Sequence, residues 1–194
     1  MELTKNKNEH FLDYLTVISY GGGVTYKTEQ ELEAVSPASI RYSSEKLYRF
    51  YGVAEALAGL SRDPSTKVAA LAFGEGYEIR AQGWNGAPRR SIADSDARAG
   101  SRASRLLWTA HAELNLIANA ARAGVSLSGC ALLSTHMPCM QCAKAIVPAG
   151  FIEVMCPAPD EQFTARWEDE LKATSTLFRE CGVRLTIFSV TQPS

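Results

Sequence analysis

The sequence contains no apolar run approaching the roughly 20 residues that a bilayer span requires, and its opening, MELTKNKNEH, lacks the basic-then-apolar order of a secretory leader. A membrane partner is not expected, and the expected location is the cytoplasm, or the host's cytoplasm for a viral chain. Charge of one sign is missing as well. With 20 Lys and Arg against 21 Asp and Glu, the net charge is −1, which provides no global basic field to grip a phosphate backbone. Nucleic acid is therefore not an expected partner. Cysteine is sparse and odd in number, five in 194 residues, which argues for reduced thiols rather than a disulfide framework. No internal repeat and no low-complexity tract appear. What remains is a chain with 46% hydrophobic residues, enough to bury one core, so a single main domain is the expectation.

Residues 1–42 read differently from the rest: a polar start, one short apolar piece (FLDYLTVISY), a Gly21–Gly23 run and a charged TEQELEA stretch. They are expected to form an N-terminal extension or arm, with residues 43–194 as the domain. SSEKLYRFYGVAEALAGL predicts a helix, with Leu47, Phe50, Tyr51, Ala54, Leu57 and Ala58 at helical spacing. VAALAF and EIRAQGW predict a hairpin turning at GEGY, and Ala87 to Ser104 reads as a polar loop. LLWTAHAELNLIANAARAG then predicts one alanine-rich helix stopping at Gly124, followed by strand GCALLSTH, helix CMQCAKAIVPAG, strand FIEVMCP, helix WEDELKATSTLFRECG and strand VRLTIFSV. This order implies an α/β fold of three layers, α/β/α, with a mixed sheet of about five strands and helices on both faces.

Chemistry concentrates at two predicted helix starts. Cys139 and Cys142 lie a helical turn apart behind Pro138, where two thiolates reach one ion and the helix dipole favours their ionised form. A redox pair, a structural metal clip and half of a catalytic metal site all fit this stretch alone. His111, upstream in His111-Ala112-Glu113, supplies a third ligand, and a catalytic zinc takes three protein ligands and leaves the fourth place to water. Glu113 lies about 200° round an ideal helix from His111, yet with His111 near the N-cap both line one cavity. Its role would be to move a proton. A closed structural site would need a fourth ligand, for which His136, Cys130 and Cys156 are the candidates. Cys130, Cys156 and Cys181 read as buried packing thiols, His136 as a core, surface or pocket histidine, and His10 as part of the tail.

Together, His111-Ala112-Glu113 and Pro138-Cys139-Met140-Gln141-Cys142 resemble the H-x-E and P-C-x-x-C signature of the zinc nucleobase deaminases, a match to a known pattern. The resemblance is wider than the signature. SRDPSTKVAALAF, GWNGAPRR, HAELNLI and PCMQCAKAIVPAGF are similar to stretches of the deoxycytidylate (dCMP) deaminases, within the cytidine deaminase superfamily, over roughly Ser43 to Val190. The resemblance implies a cytidine-deaminase-like fold, one catalytic Zn2+ per chain, and hydrolysis of dCMP to dUMP and ammonia. It implies that Asn85 bonds the sugar hydroxyl, the Ala112 N–H the pyrimidine carbonyl and Glu113 the ring nitrogen, with the Cys139 N–H facing the oxyanion. Assembly as a homo-oligomer, hexamer or dimer, is implied too, as are dCTP and dTTP as effectors, a triphosphate bringing Mg2+ with it.

Departures from the family's pattern mark the pocket. Trp84 stands where the family has Tyr, and Ala69 where it has Gly; the strand before Pro138 reads STHM, polar where relatives are usually apolar. Pro138, His136 and Trp84 are therefore candidate substrate contacts. Lys67, Arg62, Arg89 and Arg90 are candidate phosphate ligands, since a guanidinium fork fits phosphate, against the plainer reading of a solvated loop. Leu106 and Trp108 are expected to pack, and Asn115 to brace the metal site. Other readings keep the zinc but change the substrate to dCTP, a 5-substituted dCMP, a free nucleoside or base, or an RNA adenosine. A catalytically inactive zinc scaffold would leave Glu113 without a role.

Overall fold

The computed structural model describes residues 16–18, 44–91 and 100–190. In chain order the elements are β1 (Thr16–Ile18), α1 (Ser44–Ala58), β2 (Ala69–Phe73), β3 (Ile79–Trp84), α2 (Arg102–Trp108), α3 (Ala112–Ala123), β4 (Ala131–Ser134), α4 (Met140–Ile146), β5 (Glu153–Pro157), α5 (Glu161–Glu180) and β6 (Arg184–Phe188). The strands form one mixed sheet in the order β1-β6-β5-β4-β2-β3. β3 and β4 each run antiparallel to β2, while β4, β5, β6 and β1 are mutually parallel along the sheet. The five strands expected from sequence are all present. A sixth, β1, comes from the FLDYLTVISY stretch, for which no strand was expected, and pairs Val17 with Ile187 at the sheet edge.

Alternation along the buried strands sends side chains to two cores. On one face α1 lays Leu47, Tyr51 and Ala54 against Leu71, Phe73, Leu133, Met155 and Phe188. On the other, α3, α4 and α5 lay Leu116, Cys142, Ala143, Ile146, Leu171 and Phe178 against Ala70, Leu132, Val154 and Ile187. Each fully buried Leu, Ile or Phe contributes about 1.5–3 kcal/mol by leaving water, so the sheet is clamped from both faces. One close approach fixes α3 over β3: a Cβ on Gly83 would lie 2.3 Å from the Leu116 nitrogen and 2.5 Å from the Ala112 carbonyl. Only glycine lets the helix start come this near.

The single alanine-rich helix expected from residue 106 onward is in fact two. α2 ends at Trp108, Thr109 and Ala110 are extended, and Ala110 pairs with Gly86 through hydrogen bonds of 2.8 and 3.1 Å. That pairing stops α2 and leaves His111 to open α3 as its N-cap. α3 ends as expected, with Gly124 left-handed at φ 69°. α2 buries none of its residues: Leu106 and Trp108 are 57% and 41% exposed rather than packed. Of the thiols expected to be buried, Cys130 and Cys156 are, whereas Cys181 is exposed because it sits in the turn that caps α5. No helix among the described residues is long and apolar enough to cross a membrane.

Candidate metal centre

The sheet's architecture gathers one set of ends. The start of β2 and the ends of β3, β4 and β5 share an edge, the side of a parallel sheet where crossover loops leave room for ligands. α3 begins over that edge with His111 at its N-cap, and α4 begins there with Cys139 at its N-cap. Both cap residues have extended backbone, φ/ψ of −71°/157° and −75°/167°, so their side chains do not follow the helical rotation. This is why His111 and Glu113 meet despite their unfavourable spacing on an ideal helix.

His111 Nδ1 lies 3.3 Å from Cys139 Sγ and 3.4 Å from Cys142 Sγ, and the three ligand atoms all fall within 4.8 Å of one another. A tetrahedral zinc with its usual bond lengths would hold nitrogen and sulfur about 3.5 Å apart, so the donor set fits that ion in type and spacing. Cys139 is held down to about 4, chiefly by the hydrogen bond from Cys142, with burial opposing and His111 assisting. Cys142 is pushed up because it holds the shared proton and is buried beside Glu113. A cation would displace that proton. The imidazole of His111 is raised by its bond to Cys139, against burial, with the charges of Cys139, Glu113 and Glu170 adding to it.

Glu113 is buried, 3% exposed, beside this group. Its Oε1 accepts a hydrogen bond of 2.9 Å from the Ser134 hydroxyl, and its Oε2 lies 3.4 Å from Cys142 Sγ. Burial pushes its carboxyl up, while its own backbone N–H, Ser134, Cys142 and the His111 charge pull the other way. The carboxyl stands beside the three-ligand group and outside it.

The remaining sequence candidates divide. Ala112 and Pro138 are buried at the two helix starts. Asn85 is buried at the end of β3, where its Oδ1 accepts from the Val68 N–H and its Nδ2 donates to the Thr66 carbonyl, each at 2.8 Å. One N–H and one lone pair of its amide are left over. The Trp84 carbonyl accepts from Asn115 Nδ2 at 2.8 Å, so Asn115 braces α3 onto β3. His136 is exposed and stands outside the ligand group, as do Cys130 and Cys156. Lys67, Arg62 and Arg90 are exposed, and Arg89 donates to Asn119 Oδ1 at 2.9 Å, eight residues beyond His111 on α3. His10 lies outside the described residues.

Two polar residues of the site were not singled out from sequence. Ser134 was visible only as part of the polar STHM stretch, and Glu170, whose carboxylate accepts from the Met140 N–H at 3.1 Å, gave no signal at all.

The helix starts thus meet at a place that fits one divalent cation, with a buried carboxyl at its side, the arrangement of the zinc deaminases. Residues 44–158 match the cytidine and deoxycytidylate deaminase zinc-binding region. An uncharacterised deaminase from the luxG 3' region of Aliivibrio fischeri is 37% identical over 71% of this chain and 90% of its own. Human deoxycytidylate deaminase is 31% identical over 72% of this chain and 77% of its own. Among solved structures, dCMP deaminase of the cyanophage S-TIM5, in complex with dCMP and dUMP, superposes with a TM-score of 0.60 at 23% identity, covering 76% of this chain and 99% of that one. The chain belongs to the cytidine and deoxycytidylate deaminase family, a family of hydrolytic deaminases.

Proposed function

We propose that the protein hydrolyses dCMP to dUMP and ammonia, a step that feeds dTTP synthesis. The observation that carries the reading is the buried Glu113 carboxylate next to, but outside, the His111–Cys139–Cys142 group. The likeness to deoxycytidylate deaminases supports the substrate. His111, Cys139 and Cys142 would hold a zinc ion, which would supply a Lewis acid able to activate water at neutral pH.

The chain's own residues do the rest. Glu113 takes a proton from the attacking water and delivers it to the cytosine ring nitrogen. It carries the water's second proton to the departing amine, so that water and the C4–NH2 group become a C4 carbonyl and ammonia. Such a proton carrier contributes about 10²–10⁴-fold. The Ala112 N–H, at the first turn of α3, holds the pyrimidine carbonyl, and the Cys139 N–H faces the developing oxyanion. Asn85 meets the sugar hydroxyl with the one N–H and lone pair that the 66–68 backbone does not use. Pro138 and Trp84 wall the pocket, His136 stands at its rim, and Lys67, Arg89 and Arg90 are the cations available to a 5'-phosphate.

The test is ammonia release by the zinc-loaded protein from dCMP, dCTP, deoxycytidine and 5-substituted dCMP, each with and without dCTP or dTTP as effector. Highest kcat/KM on dCMP is the expected result. Equal turnover of deoxycytidine would overturn the nucleotide assignment, and silence on all four would favour a zinc scaffold.

A further inference from the structure

Ser134 closes β4, a strand whose other residues, Ala131, Leu132 and Leu133, are all apolar. Its hydroxyl has no solvent exposure. A buried hydroxyl without a partner forfeits its bonds to water, so its presence here calls for one. The partner is Glu113 Oε1 at 2.9 Å. The His136 N–H also points at Ser134 Oγ, from 3.5 Å, and fills one of its two acceptor positions. A hydroxyl has a single proton to give, and an ionised carboxylate can only accept.

We propose that Ser134 is the positioning residue for the proton carrier: it anchors Oε1 of Glu113 and leaves Oε2, the oxygen facing Cys142 and the ligand group, as the one that moves protons. This inference rests on the deaminase reading of the site. Among the described residues the other side chain against the carboxylate is the Cys142 thiol, with Sγ 3.4 Å from Oε2, and a thiol that binds a cation has no proton to offer. In the loaded site the Ser134 hydroxyl therefore remains as the side-chain donor that fixes the plane of the carboxylate. The two residues reach each other from different elements, the end of β4 and the first turn of α3, so the bond also ties the proton carrier to the rigid sheet.

The experiment compares wild type with Ser134→Ala and Ser134→Thr, all zinc-loaded and full length. Ser134→Ala is expected to lower kcat about 10–100-fold with KM changed little and zinc retention against a chelator unchanged, and Ser134→Thr, which restores the hydroxyl, to recover most of the loss. On a Glu113→Gln background Ser134→Ala should cost nothing further. An independent readout is the infrared band of the Glu113 carboxylate, isolated by difference from Glu113→Gln, which should shift in Ser134→Ala. If wild type turns over and Ser134→Ala keeps its kcat with an unshifted band, the positioning role is overturned. A wild type silent on every cytosine substrate overturns the deaminase reading instead, and the band shift still reports whether the bond exists.

Discussion

Glu170, on α5, accepts a hydrogen bond of 3.1 Å from the backbone N–H of Met140, the first residue of α4. The neighbour of Met140 is Cys139, which caps α4 by position but gives no side-chain cap bond. A helix of seven residues is too short to hold itself together in water. α5 thus supplies the cap that Cys139 does not supply while its sulfur is turned to His111.

Glu170→Ala should weaken zinc binding about 10–100-fold, read by competition with a chromophoric chelator, because the Cys139–Met140 turn loses its tether. Glu170→Gln keeps an oxygen acceptor and should lose much less. Equal losses in both variants would mean that charge, rather than the cap, is what Glu170 contributes.

Replacing Glu113 separates chemistry from metal binding. Glu113→Gln should lower kcat by about 10²–10⁴-fold while zinc content per chain stays at wild-type level, since Glu113 is no member of the ligand group. Ammonia release and metal analysis on the same preparation check both halves. Retained turnover would remove Glu113 from the mechanism.

The motif positions were legible in the sequence because they are local: His-x-Glu and Cys-x-x-Cys each sit within one turn, and the Gly124 stop and the β2–β3 hairpin follow from residue type. What was not legible depends on contacts between distant segments. LLWTAHAELNL has continuous helical propensity, and it breaks only because Ala110 finds Gly86 across the fold. The Ser134–Glu113 and Glu170–Met140 bonds join residues 21 and 30 positions apart and leave no periodic trace. The bond from Arg89 to Asn119 spans 30 positions and follows from the path of α3, which residue type alone does not show.

Gly83 tests how far the site depends on the approach of α3 to β3. Gly83→Ala places a methyl against backbone atoms at 2.3 and 2.5 Å, which cannot swing aside as a side chain would. The helix start must move, at a cost of about 1–3 kcal/mol or more. Ala112, Glu113 and His111 would move with it. The expected outcome is a lower Tm together with reduced zinc affinity. A fall in Tm with zinc affinity intact would show that α3 shifts without disturbing its N-cap.

Far from the metal, Glu153 opens β5 with 4% exposure. Its Oε1 accepts from Thr186 Oγ1 at 2.7 Å, whereas Oε2 has no hydrogen bond among the described residues and faces Arg184 Nη1 at 3.7 Å. Burial pushes this carboxyl above its ordinary 4.5, and the Thr186 bond and Arg184 charge offset that only in part. A carboxyl raised on folding adds stability that is fully present below its ordinary value and is lost as pH rises through its folded value. Glu153→Gln has no such loss. The Tm of wild type relative to Glu153→Gln should therefore be highest near pH 4, fall as pH increases past 4.5, and level off once Glu153 is ionised in the folded chain. In a protein of this size a difference of about 1 kcal/mol moves Tm by about 2–4 °C, within reach of calorimetry. The opposite trend, with wild type gaining on the variant towards neutral pH, would mean that the Arg184 pairing outweighs burial and that the carboxylate is held ionised.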